Sequence, residues 1–166
     1  HTDDKSFHNL PQIKYLYYNT CLKAPITGIN MITLFYACAL TILALLLAYL
    51  TGRQRFKTGT NLGLGDSFSL LQIYRAHANL LENALLFLIL LFLLETAGNI
   101  STLALVILGD IFILSRISHA YGITREGASS IFRALGTIGS LIVLITQSIW
   151  GLVISLTWLA NNNWGL

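Results

Sequence analysis

Long apolar segments separated by short polar ones dominate the chain from residue 31 onward. They occupy residues 31–50, 68–95, 100–120 and 134–160. Each has about the 20 residues that a helix needs to cross roughly 30 Å of hydrocarbon, and none alternates as the strands of a membrane barrel do. Because backbone groups in lipid must be satisfied within the segment, the pattern predicts an all-α fold, a transmembrane four-helix bundle.

The basic residues indicate how the bundle is oriented. After Met31, all seven fall at one end: Arg53, Arg55, Lys57, Arg75, Arg116, Arg125 and Arg133. The opposite end, made of the turn 96–99 and the C-terminal tail, has no lysine or arginine. Since loops rich in lysine and arginine stay in the cytoplasm, we expect both termini outside and the two basic loops inside. The tryptophans near the outer end of the fourth segment are typical of an interfacial belt: Trp150, Trp158 and Trp164.

Composition supports a membrane protein and excludes several other classes. The chain of 166 residues is 55% hydrophobic and 10% charged, with a mean hydropathy of +0.69, whereas soluble domains are about 25% charged. Two cysteines make neither a disulfide scaffold nor a zinc site, and His77 and His119 have no partners at metal-ligand spacing. We therefore predict no metal site and no nucleic-acid partner.

The first thirty residues differ from the rest. Residues 1–30 are polar and aromatic, contain both prolines and three lysines, and have no long apolar run. Met31, the only methionine, directly precedes the first span. We divide the chain into an N-terminal extension, 1–30, and a four-helix domain, 31–166. The extension is either sequence upstream of a natural start at Met31 or a genuine amphipathic or disordered arm.

The second segment combines polar residues with a strongly apolar continuation. At 100° per residue, Gln72, Arg75, Asn79 and Glu82 share an arc of about 80°, whereas His77 points elsewhere. We call these four residues the polar stripe. Charged side chains within a span face the bundle interior or a wet cavity and are functional candidates by default. The stripe thus predicts a polar pocket reached from the cytoplasmic end.

The other helices contribute further polar residues near the same end. On the fourth segment, one arc of about 80° holds Arg133, Thr137, Ser140 and Gln147. At 1.5 Å per residue, Asp110 on the third segment lies at about the depth of Glu82, and Arg116 at about the depth of Asn79. Taken singly, such residues are more often interhelical contacts or neutralised pairs. Together, the concentration of arginines favours an anion-binding cavity between the helices.

The motifs "RAHANLLENA" and "SRISHAYG" resemble the MAPEG family, the membrane-associated proteins in eicosanoid and glutathione metabolism. The resemblance rests on Arg-x-x-x-Asn-x-x-Glu in the second helix, on Arg-x-x-His at the end of the third, and on an Arg followed by Gly at the start of the fourth. It implies a homotrimer of four-helix subunits, most similar to microsomal glutathione transferases and to the bacterial branch of the family. It also implies glutathione as the co-substrate, held between subunits.

The resemblance implies functional roles for six residues of this chain. Arg75, Asn79, Glu82, Arg116 and His119 are the expected glutathione-binding residues, and Arg133 is the expected catalytic residue, stabilising the thiolate. Arg75 would pair with a carboxylate, Asn79 would bond the peptide groups, and Glu82 would receive the ammonium or orient Arg75. The second substrate would be a lipophilic electrophile or lipid hydroperoxide entering from the bilayer of a bacterial inner membrane.

Two other functions stay open from the sequence. Asn83 and Ile123 stand where several synthases of the family have tyrosine, which favours a non-catalytic protein of the same fold that binds lipid or a protein partner. A small transporter using Glu82 and Asp110 would need polar residues across the whole span. The apolar run after Glu82 disfavours it.

Overall fold

The predicted bundle is confirmed in a computed structural model, which describes residues 31–97, 100–124 and 130–162. The predicted extension, residues 1–30, lies outside the described residues. The helices are α1 (Met31–Thr58), α2 (Phe68–Thr96), α3 (Thr102–Thr124) and α4 (Ile131–Asn161). All four are long and apolar enough to cross a membrane. The protein is therefore an all-α, multi-pass integral membrane protein.

The first helix is longer than predicted, because it continues through the start of the basic loop. We expected α1 to stop near residue 50, but it runs to Thr58. Its end is a Schellman motif: Gly59, at φ 63°, donates to the Phe56 carbonyl, and Thr60 donates to the Arg55 carbonyl. Glycine adopts this left-handed conformation without steric cost. Four of the eight residues between 51 and 58 are arginine, glutamine or lysine, which are good helix formers as well as polar.

Aromatic packing fills the centre of the bundle. The rings of Phe87 on α2 and Phe112 on α3 stack with centroids 4.0 Å apart. Tyr36 of α1 meets Phe87 edge to face at 6.2 Å. All three side chains are at most 1% exposed, so this layer joins three of the four helices.

A carboxylate joins α1 to α2 at the end opposite the basic loops. Glu95, in the last turn of α2, accepts hydrogen bonds from the backbone nitrogens of Ile32 and Thr33, at 2.9 and 2.8 Å. It also accepts the Thr33 hydroxyl at 2.6 Å. These nitrogens open α1 and have no acceptor within the helix. Glu95 therefore caps the first helix from a neighbouring one.

Helices α3 and α4 pack most closely at the basic end, where glycine lets the backbones approach. A methyl group built on Gly122 would collide with the backbone of Arg133, and one built on Gly136 would collide with the backbones of Ser115 and His119. Small residues at such contacts allow close helix packing in membranes. This approach brings the start of α4 against the end of α3 and thereby forms one wall of the candidate site.

Candidate functional site

Arg116 connects α2, α3 and α4 near the basic end. Its side chain is 3% exposed. Nη1 donates to Oδ1 of Asn79 at 2.7 Å, and Nη2 donates to the Gly136 backbone oxygen at 2.8 Å. The same oxygen accepts the Ser140 hydroxyl at 2.8 Å, and the guanidinium lies 5.7 Å from the centre of the Phe112 ring. The contact with Asn79 agrees with the equal depth expected for these two residues.

This contact fixes the orientation of the Asn79 amide. Because the guanidinium of Arg116 can only donate, the atom that meets it must be the Asn79 oxygen. The Asn79 nitrogen then points away from Arg116, with no acceptor for it in the described part of the chain. Asn79 itself is half-buried. The arrangement presents a polar N–H donor at the edge of the bundle.

Two further arginines line a small cavity at the basic end of the bundle. The cavity has a volume of about 220 Å³ and lies where the start of α2 meets α3 and α4. Arg75 and Arg133 both contribute to its lining, and both are exposed. Neither guanidinium has a hydrogen-bond or ion-pair partner among residues 31–97, 100–124 and 130–162. Their shared position gives the cavity a positive potential suited to an anionic group.

The polar stripe of α2 lies on the boundary of the bundle. Gln72 is buried and Asn79 half-buried, whereas Arg75 and Glu82 are exposed. Within the described residues, only part of the stripe therefore faces the bundle interior, and Arg75 faces a cavity at its edge. The positions explain the difference: Gln72 and Asn79 lie on one side of the arc, and Arg75 and Glu82 on the other.

Glu82 has no hydrogen-bond or ion-pair partner within the described residues. Arg75 is two helical turns away, about 10 Å along the axis, and does not reach it. The predicted role of orienting Arg75 therefore finds no direct contact. An exposed, unpaired carboxylate on a membrane helix is costly, which favours a covered or hydrated position for Glu82 in the membrane.

The polar arc of α4 is divided in the same way. Ser140 and Gln147 are fully buried, whereas Arg133 and Thr137 are exposed. The Thr137 hydroxyl donates to the backbone oxygen of Arg133 at 2.9 Å, so it is used within its own helix. Of this arc, only Arg133 reaches the cavity.

Asp110 does not join the site, contrary to the expected convergence of the three helices. Its Oδ1 accepts the Tyr36 hydroxyl of α1 at 2.8 Å, on the side of α3 away from Asn79. The six residues from Asp110 to Arg116 turn the helix by about 120° net. The counted depth of Asp110 equals that of Glu82, but the two side chains lie on different faces of the bundle.

The remaining predicted residue, His119, is buried between α3 and α4. Its backbone lies against Gly136, one turn beyond Arg116. The sequence did not predict that Phe68, Leu71 and Ile123 also line the cavity. Nor did the sequence predict that the Gly136 carbonyl accepts a hydrogen bond from Arg116, because every residue has a backbone carbonyl and the residue type does not indicate which one is used.

The fold and the site thus define a class of protein: a four-helix membrane protein with a cationic, partly open site at one end of the bundle. The family model for the MAPEG family matches residues 33–153. This match includes all of α2 and α3 and most of α1 and α4, and the chain belongs to the MAPEG family. No curated protein matches the chain significantly.

Proposed function

We propose that this protein binds glutathione, or a related thiol peptide, at the basic end of the bundle and transfers it to lipophilic electrophiles. The observation that carries the proposal is the set of exposed, unpartnered charges beside the oriented Asn79 amide. Arg75 and Arg133 supply positive charge and Glu82 supplies negative charge. Glutathione is itself a zwitterion with two carboxylates, one ammonium group and a thiol, so the site and the ligand are complementary in charge.

Each of the polar groups has a distinct part in this binding. Arg75 grips a carboxylate, because a guanidinium can donate two parallel hydrogen bonds to one carboxylate. The Asn79 nitrogen donates to a peptide carbonyl, since its oxygen is already occupied by Arg116. Glu82 receives the ammonium group. Arg116 is buried and acts by positioning Asn79, and His119 supports the close packing of α3 on α4.

Arg133 is the proposed catalytic residue. An ordinary cysteine thiol has a pKa near 8.5 and is mostly protonated at neutral pH. A guanidinium beside the sulfur favours the thiolate, which is the nucleophile. Arg133 lines the same cavity as Arg75, so one thiol peptide can meet both cations.

We propose that the site is completed by a neighbouring copy, in a homotrimer. Arg75, Glu82 and Arg133 are exposed on the single subunit, and membrane helices seldom present charges to lipid. A second copy packed against this edge would cover the stripe and form the missing wall. The thiol site would then lie between subunits.

The bilayer supplies the second substrate in this proposal. The electrophile, or a lipid hydroperoxide, enters from the membrane, and the thiol enters from the cytoplasm, where the basic loops lie. We infer a bacterial inner membrane from the resemblance of the motifs. Residues 31–166 form the functional unit, and residues 1–30 are an extension to it.

The decisive experiment is glutathione titration and conjugation with the purified full-length protein. We expect saturable glutathione binding, formation of a conjugate with a lipophilic aryl halide, and a trimeric mass after correction for detergent. A protein that binds no thiol would refute the proposal and leave only the family and the fold. A stable monomer would refute the shared site.

One observation favours a second function, a non-catalytic binding protein of the same fold. The Asn83 amide donates to the Asn79 backbone oxygen at 2.8 Å, so it turns back onto its own helix. At this position the chain offers no hydroxyl to the site. Thiol binding without conjugation would support this alternative. The transporter function is disfavoured, because Asp110 lies away from Glu82 and the helix beyond Glu82 is apolar.

A further inference from the structure

A second polar site lies on the other side of the bundle, nearer the end without basic residues. An open crevice of about 380 Å³ runs between α1 and α3 and is lined by Met31, Ile32, Phe35, Tyr36, Val106 and Asp110. We call it the α1–α3 crevice. Five of its six lining side chains are apolar or aromatic, and the sixth is a carboxylate. The proposed thiol function makes no use of it.

The carboxylate lies at the depth of the hydrocarbon. Asp110 is eight residues from the start of α3, or about 12 Å along its axis at 1.5 Å per residue. Its side chain is exposed to the crevice. Oδ1 accepts the Tyr36 hydroxyl, whereas Oδ2 has no partner in the part of the chain that the structure describes. A charge at this depth needs a counter-charge or a polar environment.

Tyr36 is held rigidly where it meets Asp110. Its side chain is 1% exposed and its hydroxyl also contacts the Val106 backbone oxygen at 2.8 Å. Its ring lies so close to Gly109 that any side chain there would collide with it. The single hydroxyl proton is shared between the Val106 carbonyl and Asp110. The packed core therefore holds the hydroxyl beside the carboxylate, which makes this a built site.

The described residues cannot supply the missing cation. Every lysine and arginine among them lies at the basic end, and Arg116, the nearest along α3, is engaged by Asn79 and Gly136. A second copy in the same orientation brings its basic end to the same side of the membrane, so its described residues bring no cation either. The described part of the chain thus leaves Oδ2 of Asp110 available to the cation of a separate molecule.

We propose that the α1–α3 crevice binds a lipophilic amine as its ammonium ion. The ammonium group pairs with Asp110 and donates to Oδ2, and the hydrocarbon chain lies against Phe35 and Ile32. An alkylamine resembles the lysine side chain, whose pKa is about 10.4, and is therefore charged at neutral pH. An apolar body with one cationic group matches apolar walls with one carboxylate.

The test compares two probes that differ only in their polar group. Full-length protein in non-ionic detergent is titrated with radiolabelled dodecylamine or dodecanol at neutral pH. We expect the amine to bind at least about tenfold more tightly than the alcohol, because a hydrogen bond between charged groups is stronger than one to a neutral hydroxyl. Asp110→Asn should abolish this preference, and the matched control Asp66→Asn, an exposed loop residue, should retain it. Equal binding of the two probes by wild type, or a preference kept in Asp110→Asn, would overturn the proposal.

A measurement on wild type alone guards against a variant that fails to fold. An alkylamine with a diazirine at the end of its chain should cross-link to α1 or α3 at the crevice. Dodecylamine should suppress the cross-link and dodecanol should not. Cross-links elsewhere would refute the site. Suppression by phosphatidylethanolamine as strong as that by dodecylamine would assign it to a lipid headgroup and overturn the assignment to a free amine.

Discussion

Replacing Arg75 with alanine is the sharpest perturbation of the proposed thiol site. The side chain lines the cavity, is exposed and has no partner among the described residues. Its removal therefore breaks no hydrogen bond or ion pair within the described residues, and the fold should survive. The change should act on ligand binding alone, because the guanidinium is available to a carboxylate.

The size of the effect follows from the position of Arg75. Losing one partner of a buried, hydrogen-bonded charge pair costs about 2–5 kcal/mol. Arg75 lies at the rim of the bundle, so water reaches it and the lower bound applies, about 2 kcal/mol. At 1.4 kcal/mol per tenfold change, this is roughly a 30-fold loss of affinity. Arg75→Lys should recover only part of it, because an ammonium cannot make two parallel hydrogen bonds.

The assay is glutathione titration by calorimetry on the purified protein, with Arg53→Ala as the matched control. Arg53 is also an exposed arginine at the basic end, but it lies on α1 and does not line the cavity. The control separates a local effect from a general loss of positive charge. Equal affinity of Arg75→Ala and wild type would show that the stripe is structural. Equal losses in both variants would show that only the overall charge matters.

Other substitutions test the remaining parts of the structure. Arg133→Ala should lower the conjugation rate about 10²-fold or more, a typical size for lost transition-state stabilisation. It should also raise the pKa of the bound thiol, measured from thiolate absorbance against pH, and it should change the affinity for glutathione little. Glu95→Gln should lower the free energy of unfolding by about 1–3 kcal/mol in a detergent denaturation assay, because it weakens charge-assisted hydrogen bonds to the start of α1; unchanged stability would refute the capping role. Gly109→Ala should cost about 1–3 kcal/mol in the same assay through overpacking against Tyr36, and a neutral result would mean that the α1–α3 contact adapts freely. Deleting residues 1–30 should leave membrane insertion and thiol binding intact, and loss of either would make the extension part of the fold.

The sequence predicted the helices well because lipid imposes a simple rule. Each span needs about 20 apolar residues with a satisfied backbone, and the four segments met it with little ambiguity. The end of α1 was missed because the hydropathy pattern marks where a helix leaves the membrane and not where it ends. The left-handed Gly59 that ends it lies nine residues beyond the predicted boundary.

The site was harder to predict than the fold, because it depends on contacts between helices. Depth along a helix can be counted from sequence, and the equal depth expected for Arg116 and Asn79 agrees with their hydrogen bond. The face towards which a residue points depends on how the helices are rotated about their axes, and Asp110 shows the consequence. It shares a level with the stripe but contacts α1. Backbone acceptors such as the Gly136 carbonyl cannot be identified from the residue types.

The buried guanidinium of Arg116 is more easily explained by function than by stability. Its only described hydrogen-bond partners are neutral oxygens of Asn79 and Gly136, and its Nε has no partner among the described residues. Burying a charge without an opposite charge costs several kcal/mol, and apolar replacements of buried ionic groups are often neutral or stabilising. What an apolar side chain cannot do is hold the Asn79 amide in one orientation. Arg116 therefore determines whether Asn79 presents a donor or an acceptor to the proposed site.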